Sequence, residues 1–225
     1  MNFEKTILFV VCVNDQKLYE TCFNYILKLI VPTSFKVEFF PIENSTSITQ
    51  AYNQAIKHKA KYKIYLHQDV FIHYNHFLIK IIDLFQKNPN LGLIGLIGCK
   101  NLPNSAVWWE GKELVGRVVD HRYGQKHYLD YQNKDSENIE IVQAIDGLLM
   151  ATQYDIPWRE DLFDGFHFYD ISQSFEFIKK GYEVGIPIQN DFWVTHFTGE
   201  YQLNISLYEK YRQIFLENYF MKGDI

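Results

Sequence analysis

Two periods of hydrophobic and polar positions alternate along the first hundred residues. Ile7 to Val13 is a continuous apolar run rich in β-branched residues, the pattern of a strand buried on both faces. Asn14-Asp15 then caps a helix expected to run to about Ile30. Leu18, Cys22, Tyr25, Ile26 and Leu29 fall at helical spacing there, and Pro32 follows as a stop. Phe35 to Ile42 reads as a second strand. Asn44-Ser45-Thr46-Ser47 is a polar loop and cap. Ile48, Ala51, Tyr52, Ala55 and Ile56 make the next amphipathic helix, expected to end near Lys61. Lys63 to Leu66 is a third strand. Phe77 to Phe85 is helical and broken by Asn88-Pro89-Asn90, and Leu91 to Gly98 is a fourth strand. Three strand-then-helix units at this spacing predict an α/β fold with a mostly parallel sheet flanked by helices and right-handed crossovers.

The pattern changes after Gly98. Lys100 to Asn138 is polar, aromatic and irregular, with Trp108-Trp109 and a charged tail from Gln132 to Asn138. It predicts an excursion over the sheet, with a hairpin around Gly111 and Gly116. Ile139 to Ala151 resumes strand character around Asp146-Gly147. Ile171 to Lys180 is a helix ended by Gly181, Tyr182 to Ile188 a short strand, and Leu203 to Phe220 a terminal helix rich in Tyr and Phe.

Length and charge narrow the class. At 225 residues, 47% of them hydrophobic, one domain spanning 1–225 with an insertion at about 100–138 can build its own core. A net charge of −5 argues against a nucleic-acid partner bound by phosphate neutralisation. No apolar run is long enough for a transmembrane segment, and the N-terminus lacks signal-peptide character. Cys12, Cys22 and Cys99 have no metal-like spacing, and their odd number gives no disulfide framework; a cytoplasmic location is expected.

The chemistry concentrates in Tyr65-Leu66-His67-Gln68-Asp69-Val70. An apolar strand delivers a carboxylate to its C-terminal end, and in open α/β sheets ligands bind in the crevice beyond that end. A carboxylate beside an imidazole suits a divalent cation, and such a cation suits a diphosphate. Strand ends followed by polar residues point to a nucleoside diphosphate, UDP first, near Val13, Asn14, Asp15 and Asp69. The alternative for Asp69 is the start of a turn.

The order of several motifs is informative. Asn53 lies in Ala51-Tyr52-Asn53-Gln54-Ala55, on the helix before His67-Gln68-Asp69. Ala144-Ile145-Asp146-Gly147 leads into Leu148-Leu149-Met150. Phe163-Asp164 precedes Phe166-His167-Phe168-Tyr169-Asp170, then Gly181-Tyr182-Glu183-Val184, and His196 comes after the next strand. This series resembles the family 2 type of glycosyltransferase, with its Rossmann-like GT-A fold. It most resembles the branch related to a streptomycin-biosynthesis protein. The resemblance implies that His67-Gln68-Asp69 stands where such enzymes carry Asp-x-Asp, with His67 replacing the first Asp. It implies a donor half that includes Asn53 and His67. It also implies a divalent cation, Mn²⁺ or Mg²⁺, on Asp69 and His196, and an acceptor-side turn at Asp146-Gly147. Asp170 is then the expected general base, in an inverting transfer from a nucleotide-sugar donor to a carbohydrate or other hydroxyl acceptor.

Other readings stand beside these. Asp170 also reads as a cap for the helix starting at Ile171, Asp146 as a turn residue, and His196 as a strand-end histidine. His67 reads equally as a ligand or as a group behind one. Trp108, Trp109 and Tyr123 are candidates for stacking on sugar rings, though Trp108-Trp109 also reads as buried packing. A catalytically inactive nucleotide- or sugar-binding module on the same fold is the alternative function. A nucleotidyltransferase-like enzyme would want a glycine- and basic-rich phosphate loop after the first strand, and Val13 to Lys17 offers none.

Overall fold

A computed structural model describes residues 3–132, 138–200 and 202–221. Positions 133–137 of the expected charged tail lie outside them. The first half runs β1 (Thr6–Val13), α1 (Gln16–Ile26), β2 (Lys36–Glu43), α2 (Ile48–Ile56), β3 (Tyr62–His67), β4 (Val70–Ile72), α3 (Phe77–Lys87), β5 (Leu91–Ile94) and β6 (Ile97–Cys99). It continues with β7 (Leu114–Arg122), β8 (Gln125–Asp130), β9 (Ile139–Ile141), β10 (Ala144–Ile145) and β11 (Leu149–Thr152). The chain then forms α4 (Tyr169–Lys179), β12 (Glu183–Pro187), β13 (Val194–Gly199) and α5 (Ile205–Phe215).

Seven strands make the main sheet, in the order β2-β1-β3-β11-β5-β12-β9. The pairs β1–β2, β1–β3 and β5–β12 are parallel, as the strand-then-helix units predict. β11 enters antiparallel between β3 and β5. Alternation along β1 builds the two faces of the core. Ile7, Phe9 and Val11 pack with α1 and α3, and Leu8 and Val10 pack with α2. A second sheet has the order β10-β6-β7-β13-β4, with β8 beside β7.

Several expectations are corrected. Helix α1 stops at Ile26, because Lys28 and Leu29 bond to carbonyls only three residues back and Ile30 N–H turns to the carbonyl of Asn75. Helix α2 stops at Ile56, where Lys57-His58-Lys59 leaves no continuous apolar face to bury. Leu91 to Gly98 is two strands in two sheets. The break falls at Gly95, whose Cβ would sit 2.6 Å from Ile145. The stretch from Lys100 onward is more regular than its polarity suggests, since β7 and β8 pair along their length. Their turn is Tyr123-Gly124, both at positive φ, the geometry that two-residue hairpins favour. Gly111 instead ends a 3₁₀ turn at Trp108–Glu110. Gly116 lies inside β7 at φ +106°, where a Cβ would meet the Leu96 carbonyl at 2.1 Å. The terminal helix passes from α5 into a π-helical turn, Leu216–Phe220.

Candidate active site

The C-terminal ends of β1 and β3 open side by side, with Cys12 opposite His67. Gln68 ties them together. Its Oε1 accepts from the backbone N–H of Asn14 and of Asp15, each at 2.9 Å, and its amide donates to Asn14 Oδ1. Strand β13 crosses next to this turn, where Phe197 N–H donates to the Asp69 carbonyl at 2.8 Å. His196 therefore lies within β13 rather than past a strand end, and it faces Asp69.

Three side chains converge here. Asp69 Oδ1 lies 3.5 Å from His196 Nε2 and 4.0 Å from His67 Nδ1. One ligand atom from each residue falls within 4.8 Å of the others, an arrangement able to hold a metal ion. Asp69 Oδ1 is buried and accepts no hydrogen bond among the described residues; the 3.5 Å approach of His196 is an ion-pair contact. A buried carboxylate oxygen without a donor is costly unless a cation satisfies it. Burial alone would raise Asp69 and lower His196. Their mutual attraction outweighs it, so Asp69 stays below and His196 above its ordinary range. Burial lowers His67 despite the Asp69 charge.

Facing this triad is a carboxylate pair from the turn before β11 and the first turn of α4. Asp170 accepts from Gly147 N–H and from Ile171 N–H, each at 2.9 Å. Asp146 accepts from Leu148 N–H at 2.9 Å. Burial, and next the charge of Asp146, push the Asp170 carboxyl up to about 7 against the pull of those N–H donors. Asp170 is not the cap of its helix. Phe168 occupies the cap position in the left-handed region, φ 61° and ψ 2°, and Asp170 sits one residue inside α4. A buried aromatic held there is strained backbone of the kind found at ligand sites. The same turn aims the Tyr169 hydroxyl at His67 Nε2, 2.5 Å away. Gly147 makes room for it, since a Cβ there would lie 2.1 Å from the Tyr169 oxygen.

A cavity of about 1100 Å³ joins the triad to the carboxylate pair. A smaller one of about 170 Å³ adjoins it at the ends of β1 and β2, lined by Val13, Asn14, Asn44 and Phe166 among others. A model of the glycosyltransferase-like family matches residues 8–219. The chain belongs to that family. No curated protein matches it. Among solved structures, the mannosyltransferase PcManGT from Pyrobaculum calidifontis, in complex with GDP-Man and Mn²⁺, superposes with a TM-score of 0.54 at 12% identity over 86% of this chain. GalNAc-T7 with UDP, GalNAc and Mn²⁺ gives 0.58 at 12% over 88%, and S. aureus TarS 1-349 with UDP-GlcNAc gives 0.55 at 12% over 95%. This glycosyltransferase-like chain spans 57%, 44% and 66% of those three chains respectively. At such identities the likeness speaks for the mixed α/β GT-A fold.

Not every residue singled out in the sequence reaches the cavity. Asn53 does not, contrary to expectation. Its amide clamps the backbone of Trp158, donating to the carbonyl and accepting from the N–H, both at 2.9 Å. The Asp15 carboxylate caps α1 through Lys17 and Leu18 N–H, so only its backbone borders the strand-end turn. Trp108, Trp109 and Tyr123 all line the cavity, Trp108 as a buried wall residue and the other two 46% and 56% exposed. The three thiols are each pushed up to about 12 by burial, which removes them as nucleophiles.

Among the cavity residues to which the sequence reading assigns no role are Asp120, Tyr208 and Tyr169. Asp120 is buried on β7 and paired with Arg122. Tyr208 on α5 has a buried hydroxyl without a hydrogen-bond partner among the described residues. Tyr169 had only its place beside Asp170 to mark it. No helix among the described residues is long and apolar enough to cross a membrane.

Proposed function

We propose that this protein transfers a sugar from a nucleotide-diphosphate sugar, UDP-linked, to a hydroxyl acceptor by metal-assisted direct displacement with inversion. We further take it to be of the family 2 type and of the branch resembling a streptomycin-biosynthesis protein, with residues 1–225 acting as one GT-A-like domain. The observation that carries this reading is the meeting, across one cavity, of a His67–Asp69–His196 cluster with the Asp146–Asp170 pair in a chain of this family.

The residues present fit a divalent cation. Asp69 Oδ1 is a buried oxygen that accepts no hydrogen bond among the described residues and lies between two imidazoles. Among the described residues, Asp69, Asp120, Asp146 and Asp170 line the cavity with Arg122 as its one Lys or Arg. An anionic diphosphate meets repulsion there unless positive charge is added. When bound, Mn²⁺ or Mg²⁺ supplies Lewis-acid stabilisation of the leaving diphosphate. Asp69 and His196 would hold it, with His67 beside them.

The chain's own groups do the rest. Val13 and Asn14 border the smaller cavity, which suits the base and ribose of the donor. Gln68 fixes the turn between base and diphosphate by bracing Asn14 against β3. Asp170, held near neutrality, is basic enough to take the acceptor's proton and close enough to pH 7 to be ionised when it does so. Gly147 N–H and Ile171 N–H hold its two oxygens in place. Direct displacement needs no protein nucleophile, consistent with the inert thiols. Calorimetry with UDP, GDP and dTDP in Mn²⁺, followed by donor-hydrolysis assays with sugars on the nucleotide that binds, tests the proposal. Binding of none of them at millimolar concentration would overturn it. Binding without any transfer or hydrolysis would leave an inactive binding module.

A further inference from the structure

Resting on that reading, we infer that His67 is a third metal ligand offering Nδ1, and that its two-imidazole, one-carboxylate donor set selects a first-row transition cation over Mg²⁺. The geometry starts from Tyr169. Its hydroxyl lies 2.5 Å from His67 Nε2 and engages that nitrogen. The other ring nitrogen, Nδ1, is 4.0 Å from Asp69 Oδ1, beyond hydrogen-bond reach but close enough to share a cation with it. A neutral imidazole that offers Nδ1 carries its proton on Nε2, and the Tyr169 oxygen is placed to accept that proton. The ring is held by this contact. Tyr169 in turn reaches it only because position 147 has no side chain.

Selectivity follows from the donors. Mg²⁺ demands oxygen ligands and sheds water reluctantly. Imidazole suits the borderline ions, whose affinities for nitrogen sites rise from Mn²⁺ to Co²⁺ and beyond. An Asp-x-Asp pair offers carboxylates to either kind. Replacing its first carboxylate with His67 leaves one anionic oxygen and two nitrogens. Tyr169 is then a positioning residue, and Tyr169→Phe tests its hydroxyl alone.

The experiment titrates the full chain with MgCl₂, MnCl₂ and CoCl₂ by calorimetry without nucleotide, and follows the Co²⁺ visible absorption. The parent should bind Mn²⁺ at least about tenfold, and Co²⁺ at least about a hundredfold, more tightly than Mg²⁺. Tyr169→Phe should weaken Co²⁺ about 10–100-fold and alter its absorption band. His67→Asp should narrow the Co²⁺-to-Mg²⁺ ratio by tenfold or more, a relative gain for Mg²⁺ that a misfolded variant cannot produce. An unchanged ratio in His67→Asp, or parental Co²⁺ affinity in His67→Ala, overturns the inference. If cation-dependent UDP binding persists in that His67→Ala protein, the transferase reading survives without it. A parent that binds no cation, alone or with UDP, overturns both.

Discussion

Asp170 is where burial and chemistry pull in one direction. Its carboxyl is raised to about 7, so the folded protein binds its proton more tightly than the unfolded chain, where a carboxyl titrates near 3.9. The stabilisation this provides is complete below about pH 4 and is lost as pH rises through about 7. Asp170→Asn has no such proton to lose. Its melting temperature relative to the parent should therefore climb between pH 4 and pH 8, which parallel thermal melts across that range will show. The base role proposed for Asp170 predicts a matching activity profile. Transfer should rise with pH through about 7 in the parent and fall by roughly 10²–10⁴-fold in Asp170→Asn, while UDP affinity stays nearly constant. A flat pH–rate profile would remove Asp170 from the role of base. Undiminished transfer by the variant would leave it a structural residue of the first turn of α4.

At the level of elements, the sequence is most legible where one local rule decides. Asp15 and Ser47 cap α1 and α2 as their residue types predict, and β1 is a strand because eight residues from Thr6 give no helical face. It is least legible where a distant group decides. Nothing near Gly95 announces Ile145, and nothing in Ala51 to Ala55 announces that Asn53 will be taken by Trp158, 105 residues later. The motif pattern suggested a donor contact, but tertiary structure gives Asn53 the task of anchoring the segment before α4. Asn53→Ala should leave the Trp158 N–H and carbonyl without their partner and cost about 1–3 kcal/mol. UDP affinity should be unchanged. Denaturant melts and calorimetry on the same sample separate the two effects; a loss of UDP binding at constant stability would restore Asn53 to the donor site. Gly147→Ala tests the opposite coupling. Its new Cβ would overlap the Tyr169 hydroxyl, so the expected cost of about 1–3 kcal/mol should come with weaker Mn²⁺ binding, because the displaced ring is the one that holds His67.

Across the whole molecule, the site is assembled from chain segments that sequence order keeps apart. Residue 67 ends β3, residue 170 lies in the first turn of α4 and residue 196 lies in β13. Only the antiparallel entry of β11 and the second sheet bring them to one cavity. The motif order suggested their company; the parallel-sheet rule did not, because β11 and β13 break it. A site built this way should report ligand binding as global stability. Any ligand of the folded state that the unfolded chain does not bind stabilises by about 2.7 kcal/mol at a hundred times its dissociation constant. For a chain of this length that corresponds to roughly 5–11 °C in melting temperature. Mn²⁺ and UDP together should therefore raise the midpoint by more than the sum of their separate shifts. Linkage requires the enhancement to be reciprocal, so the factor by which Mn²⁺ tightens UDP equals that by which UDP tightens Mn²⁺. Asp69→Asn should abolish this excess and weaken Mn²⁺-dependent UDP binding by at least about tenfold, since an amide cannot neutralise the cation. His196→Ala should weaken it less. Thermal melts with each ligand alone, both together and both with excess EDTA measure the effect. An equal UDP shift in EDTA would show that the nucleotide is held without a cation, and the metal role of Asp69 and His196 would fall with it.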